Sequence, residues 1–358
     1  MFYFNALAAA ALFGASTPIS KMMLSGLKPF MLASLCYFGS GLALALWKSA
    51  FPAARAAFSP AGRTSGTREP ALSAKDWPFV AGFVLTGGVL APVLLFKGLL
   101  LTTSSGASVM LNLELIFTSF IAWLIFREHT GGRFWTAAVL VASGAVLLGV
   151  DPSGFSFTFG KGSVLVASSA FFWGVDNNLT AKLSVKDPAA IALIKGLAGG
   201  CINLALAFWA GEFVGTPALW LSGLALGALS YGASLVLFIR AMRGLGAARA
   251  GAVFGVYPFF GALLSVIFLK EPLTVPLGSA FILMALGFYL VVSERHSHSH
   301  RHEELEHAHL HVHDDLHHSH GHVEGAAPEE PHAHFHAHAP QLHNHGHLPD
   351  THHRHGHY

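Results

Sequence analysis

Two carboxylates stand in stretches of sequence that are otherwise apolar: Glu114 within 104–126, and Asp176 within 160–181, where Asn177 and Asn178 follow it. A charge in a hydrocarbon setting is expensive unless it is paired or lines an aqueous path, so each is a candidate for function. A carboxyl group held there could take up and release a proton. That makes Glu114 and Asp176 the candidates for coupling a proton gradient to solute movement. Ser16, Thr17, Asn112, Trp173, Asn177, Tyr231 and Tyr257 lie in comparable apolar surroundings and form with them the expected lining of a substrate cavity. Pro18 and Pro258 interrupt the helical hydrogen-bond ladder and free backbone groups for a ligand. A second role stays open for Ser16, Asn177 and Asn178, that of hydrogen-bond glue between helices. Lys97, Lys195 and Arg240 complete the set of charges in or at the end of apolar stretches.

The elements that must hold these groups are hydrophobic. Of 358 residues 53% are hydrophobic and 11% charged, against roughly 25% charged in a soluble domain. The apolar part breaks at Pro, Gly and charge clusters into ten segments, near 2–21, 29–48, 77–97, 104–126, 133–150, 160–181, 189–210, 217–239, 247–269 and 275–293. Each is near the ~20 residues that cross a ~30 Å hydrocarbon core, and almost none has the polar stripe of a soluble helix. The first segment lacks a basic leader and a small-residue cleavage site, so an uncleaved first helix is expected. Cys36 and Cys201 lie inside apolar segments and read as buried packing residues.

The segments are written twice. Arg127-Glu128 ends the fourth and Lys270-Glu271 the ninth, 143 positions apart, and a glycine follows each sixteen residues on, at Gly144 and Gly287. The turn Gly14-Ala15-Ser16-Thr17-Pro18 has its partner in Gly174-Val175-Asp176-Asn177-Asn178. Glu114 corresponds to Tyr257, Asp176 to Ser16 and Lys97 to Arg240. Five segments per copy is an odd number, so the second copy enters the bilayer from the other face and the repeats are inverted, with a site near the midplane. Glu128 and Glu271, beside basic residues at segment ends, are expected to cap helices or form ion pairs at an interface.

With both ends on one side, 15 of the 21 lysines and arginines fall in the loops and tail of that side and four in the opposite loops. This bias places both termini in the cytoplasm of a multi-pass protein of the cell (inner or plasma) membrane.

Ten spans in two inverted five-helix repeats resemble the EamA family of the drug/metabolite transporter superfamily. Phe126-Arg127-Glu128 and Leu269-Lys270-Glu271, the helices with Gly144 and Gly287, and Tyr257-Pro258 are similar to that family's repeat signature. The first copy departs from it, with Leu115 rather than proline after Glu114. The resemblance covers 3–293 and implies a secondary transporter without a bound cofactor, often an exporter of metabolites such as amino acids.

Residues 296–358 are a different material, holding 23 of the 24 histidines with 9 acidic and 2 basic residues. Their low hydrophobicity and low complexity point to disorder. Repeated His-x-His sets imidazoles on one side of an extended chain, at His298 and His300, at His309, His311 and His313, and at His334, His336 and His338. Neutral imidazole binds Zn, Ni or Co, so the tail is expected to bind divalent metal.

The sequence thus reads as an all-α membrane protein with a first repeat over 1–151, a second over 152–295 and a disordered His-rich cytoplasmic tail over 296–358. The expected activity is secondary active export of a small, amino-acid-like metabolite by alternating access. The alternative is a divalent-metal exporter or metal-gated transporter. No P-loop, nucleophile elbow or His-x-x-x-His falls in a span, which argues against an ATP-driven pump or an enzyme. The expected partners are a small solute and the lipid bilayer, not nucleic acid, and a homodimer stays open.

Overall fold

Lipid offers no hydrogen bonds, so a backbone inside it must satisfy its own, and apolar runs of this length coil into helices. The structure, a computed structural model, describes residues 2–50, 72–126, 132–149, 160–183, 188–245, 253–293, 296–301, 305–311, 332–338 and 342–347. Contacts divide the chain into two units, Met1–Trp47 with Pro70–Ser293, and Lys48–Glu69 with Glu294–Tyr358.

The first unit is helical. Its elements are α1 (Phe2–Gly14), α2 (Ser16–Met23), α3 (Pro29–Ala50), α4 (Trp77–Phe83), α5 (Ala91–Leu99), α6 (Ser104–Met110), α7 (Leu113–Phe126), α8 (Gly132–Gly149), α9 (Lys161–Ala181), α10 (Pro188–Trp209), α11 (Pro217–Leu226), α12 (Ser234–Leu245), α13 (Tyr257–Phe268) and α14 (Val275–Val292). Among the described residues, six stretches are long and apolar enough to cross a membrane: Phe2–Met23, Pro29–Trp47, Ala74–Leu99, Ser104–Ile125, Ala190–Trp209 and Pro217–Phe238. Trp135–Leu148, Tyr257–Phe268 and Val275–Leu290 are shorter apolar helices. Threonines start three of the helices. Thr103, Thr216 and Thr274 accept the N–H groups of Gly106, Leu219 and Leu277 at 3.2, 3.4 and 3.3 Å, which gives otherwise orphaned donors a partner.

The core is built of Leu32, Phe83, Leu95, Phe96, Val109, Met110 and Met284. The exterior is equally apolar, with Leu46, Leu124, Leu221, Phe268 and Ile282 exposed, as a lipid-facing surface requires. Six of the seven tryptophans stand near the ends of apolar stretches, where an amphipathic ring meets the interface. Trp173 alone is buried well inside one. Cys36 is buried as expected, but Cys201 is exposed on α10, because that face of the helix has no protein neighbour to bury it.

Matched positions of the two copies meet reciprocally. A Cβ on Gly144 would lie 2.8 Å from Met284 and 3.2 Å from the Ala280 carbonyl. One on Gly287 would lie 2.7 Å from Val141 and 3.0 Å from the Ala137 carbonyl. Each residue of one set stands 143 positions from its counterpart in the other. Ser169 donates to the Ala91 carbonyl at 2.7 Å and Ser234 to the Ala9 carbonyl at 2.8 Å, again between corresponding positions. Two π-helical segments, Val84–Leu90 between α4 and α5 and Gly227–Ala233 between α11 and α12, are likewise 143 residues apart at both ends. Such reciprocity is the mark of an isologous interface, here between the two halves of one chain.

The breaks differ from expectation. The fourth stretch is interrupted at Leu111-Asn112 although no proline follows Glu114. There the Asn112 amide donates to the Val109 carbonyl at 2.8 Å and takes the place of the lost ladder bond. In the second copy the matching break falls at Gly255-Val256, and Pro258 follows in the first turn of α13, where its missing N–H costs nothing. Gly174-Val175-Asp176-Asn177-Asn178, by contrast, is not a turn: α9 runs through it unbroken. Its polar side chains find partners on neighbouring helices and leave the backbone ladder intact.

The Leu269-Lys270-Glu271 motif has a direct structural use. Lys270 has φ 53°, a left-handed conformation uncommon outside glycine, and it turns Glu271 back toward α6. The Glu271 carboxylate accepts the Ser104 and Ser105 N–H groups at 2.7 and 2.8 Å, the capping role expected from sequence. Lys21 donates to the carbonyls of Leu99 and of Thr102, the latter at 2.9 Å. The α5–α6 turn is therefore held at its negative end by a lysine and at its positive end by a glutamate. Glu128 lies outside the described residues.

In the second unit, four segments of the tail are extended. They are β1 (His296–Arg301), β2 (Leu305–His311), β3 (His332–His338) and β4 (Leu342–His347). β1 pairs with β4 and β2 with β3, both antiparallel, with His298 opposite His345, His300 opposite His343, His309 opposite His334, and His311 opposite His332. This differs from the expected disorder. His-x-His has the period of two that suits a strand. His336 and His338 lie on β3 and His313 outside the described residues.

Candidate functional site

The break at Asn112 places Glu114 in the first turn of α7, where the helix dipole favours a negative group. The matching break places Tyr257 at the start of α13. The two side chains meet: the Tyr257 hydroxyl donates to Glu114 Oε2 at 2.6 Å. From α9, the Asn177 amide donates to Glu114 Oε1 at 2.8 Å and lies 3.2 Å from Thr118 Oγ1. Glu114 is half-buried, and Asn177 is exposed although Asp176 and Asn178 on either side of it are buried. The pair is therefore not sealed inside the helices.

Asp176 points the other way, to α10. Its Oδ2 is 2.7 Å from the Lys195 ammonium, and Thr180 Oγ1 lies 3.4 Å from Oδ1. The Lys195 ammonium also sits 5.4 Å from the centre of the Phe83 ring, within cation–π range. The first π-helical segment passes directly against this carboxylate, and a Cβ on Gly87 would collide with it. A π-helical turn frees carbonyls from their usual partners, and two side chains take them up. Tyr37 donates to the Gly87 carbonyl and Asn203 to that of Gly88 at 2.9 Å.

Aromatic rings close the rest of the site. Phe13 meets Tyr257 edge-on at 4.8 Å and Tyr231, on the second π-helical segment, at 5.3 Å. Tyr231 lies 5.7 Å from Tyr37, and Ser16 and Trp173 are buried. The folding of the chain thus joins Glu114, Asn177 and Tyr257 in one polar group and Asp176, Thr180 and Lys195 in another, with Tyr231 linked to Tyr257 through the Phe13 ring. Thr17 is buried next to Ser16. Asn112 is buried, and its amide donates to the Val109 carbonyl of α6. Asn178 is interhelical glue, donating to the Thr118 carbonyl at 3.0 Å and to that of Gly174 at 2.8 Å.

Sequence reasoning missed Tyr37 and the pairing of Lys195. An ammonium in an apolar stretch must have a partner, and that requirement could have tied Lys195 to Asp176. Nothing in the sequence singles out Tyr37. Among the described residues no three His, Cys, Asp or Glu side chains are grouped to hold a metal ion.

The chain resembles known proteins along its helical part. It is 30% identical over 295 residues to an uncharacterized transporter of Methanothermobacter thermautotrophicus, covering 81% of this chain and 85% of that one. A protein of known crystal structure, 20% identical, superposes with a TM-score of 0.56 over 80% of this chain and 95% of its own, a likeness in fold. The profile of the EamA-like transporter family matches twice, over residues 1–150 and 160–293. The two matched halves are those of a membrane transporter, and the chain belongs to the EamA-like transporter family.

Proposed function

We propose that this chain is a secondary active transporter of the cell membrane that exports a small, amino-acid-like metabolite by alternating access. It crosses ten times, as inverted five-helix repeats over 1–151 and 152–295, with both termini in the cytoplasm. The observation that carries this reading is Glu114 of the first copy, half-buried and held by Asn177 and Tyr257 of the second. Of the two carboxylates, Asp176 is committed to Lys195, which leaves Glu114 to exchange a proton against the solute. Metal as cargo is disfavoured because both carboxylates already have organic partners. The tail over 296–358 serves as a metal buffer or sensor through its His-x-His runs.

The purified protein in liposomes tests this. The wild type should accumulate solute against an imposed proton gradient. Glu114→Gln keeps the acceptor for Tyr257 but holds no exchangeable proton, so it should lose gradient-driven accumulation. Gradient-driven accumulation equal to wild type would remove Glu114 from coupling. Removing 296–358 should abolish most Zn, Ni and Co binding and leave transport in metal-free buffer intact.

A further inference from the structure

Lys195 is the charged group of the site that this reading leaves without a task. Its side chain is 22% exposed and that of its partner Asp176 is 5% exposed. Of the pair, the lysine side chain is the one open to a solute. Glu114 is tied to the neighbouring position of α9, since its partner Asn177 directly follows Asp176, the partner of Lys195, and Asn177 lies exposed beside Glu114. The reachable groups are thus one cation, one carboxylate and one amide.

That set complements a molecule carrying both a carboxylate and an ammonium. The solute carboxylate would take a charge-assisted hydrogen bond from Lys195, and its ammonium would face Glu114. An amine without the carboxylate brings a second positive charge toward Lys195 and leaves that donor unanswered, which costs more than a missing contact alone. Architecture is a weak reason for the pair, since apolar side chains of similar volume stabilise such a position at least as well.

We propose that Lys195 is the specificity-determining residue of the site: it selects solutes that bear a carboxylate beside their ammonium and rejects the corresponding amines. The proposal rests on the transporter reading of the Glu114 site. The test uses the full chain in liposomes and measures, for each neutral amino acid that the wild type exchanges, the rate relative to its decarboxylated amine, leucine against 3-methylbutan-1-amine being one such pair. The wild type should favour the amino acid, and Lys195→Met should lower that ratio by about tenfold or more. Lys195→Arg should retain the preference. A rate ratio is independent of how much protein inserts. If Lys195→Met does not survive purification, D176N/K195M removes both charges together and should show the same fall. An unchanged ratio in either variant, or equal loss of both solutes in Lys195→Met and Lys195→Arg with the protein intact, makes Lys195 a structural counter-ion and overturns the inference alone. A wild type that exchanges no amino acid overturns the underlying reading with it.

Discussion

Tyr257 and Glu114 occupy the same position in the two copies, 143 residues apart, and are hydrogen-bonded to each other at 2.6 Å. The bond ties the first turn of α13 to the first turn of α7, so a change of proton on Glu114 is felt directly by the opposite half of the chain. Tyr257→Phe keeps the ring contact with Phe13 and removes this donor. Hydrogen bonds to charged groups contribute about 1.5–3 kcal/mol, so transport should fall roughly tenfold or more with little change in melting temperature. Wild-type rates in the liposome assay would mean that Asn177 alone positions Glu114.

Gly87 and Gly88 are neighbours with opposite tolerances. A methyl group on Gly87 collides with the Asp176 carboxylate, whereas one on Gly88 meets its nearest atoms at 3.5–3.8 Å, an ordinary contact. Gly87→Ala should lower stability by about 1–3 kcal/mol and impair transport, while Gly88→Ala should be close to neutral. Thermal unfolding of the purified variants compares them directly.

The α8–α14 crossing allows a rescue experiment. Gly144→Ala presses mainly on Met284, a flexible side chain that can move aside. Gly287→Ala presses on Val141, which is stiff at χ1. The second substitution should therefore destabilise more than the first, and Val141→Ala should recover much of the loss in the double variant. Additive losses in unfolding measurements would show that the two sites do not press on one another.

Lys270 and Glu271 should respond in opposite directions. Lys270→Gly removes the left-handed strain and should leave stability equal or raise it by up to ~1 kcal/mol. Glu271→Ala removes the cap from Ser104 and Ser105 and should lower it by about 1–2 kcal/mol. The order of their melting temperatures relative to wild type checks both.

How much of this could be read from the chain varied with the range of the interaction. Apolar runs near 20 residues mark their own helices, and the recurrence of Arg/Lys-Glu marked the duplication, because both signals are local. The break at Asn112 was hidden: a side-chain amide that caps a carbonyl three residues back looks like any polar residue in a helix. Gly174–Asn178 misled in the other direction, because its match to the first turn implied a break that its side chains avert by bonding to α7. The Asp176–Lys195 pair depends on two helices lying side by side, which no spacing in the sequence encodes. The π-helical segments were equally invisible, since their glycines resemble packing glycines elsewhere in the chain.

Two separate five-helix subunits would set each residue at the Glu114 position against its own copy. A pair of glutamates there would have to share one proton or repel; a pair of tyrosines would hold no exchangeable carboxyl at all. Joining both halves in one chain removes that constraint, since the acid and its hydroxyl donor can be chosen independently. Gene fusion here is thus an electrostatic solution: it permits an unequal couple where a dimer of identical subunits permits only equals.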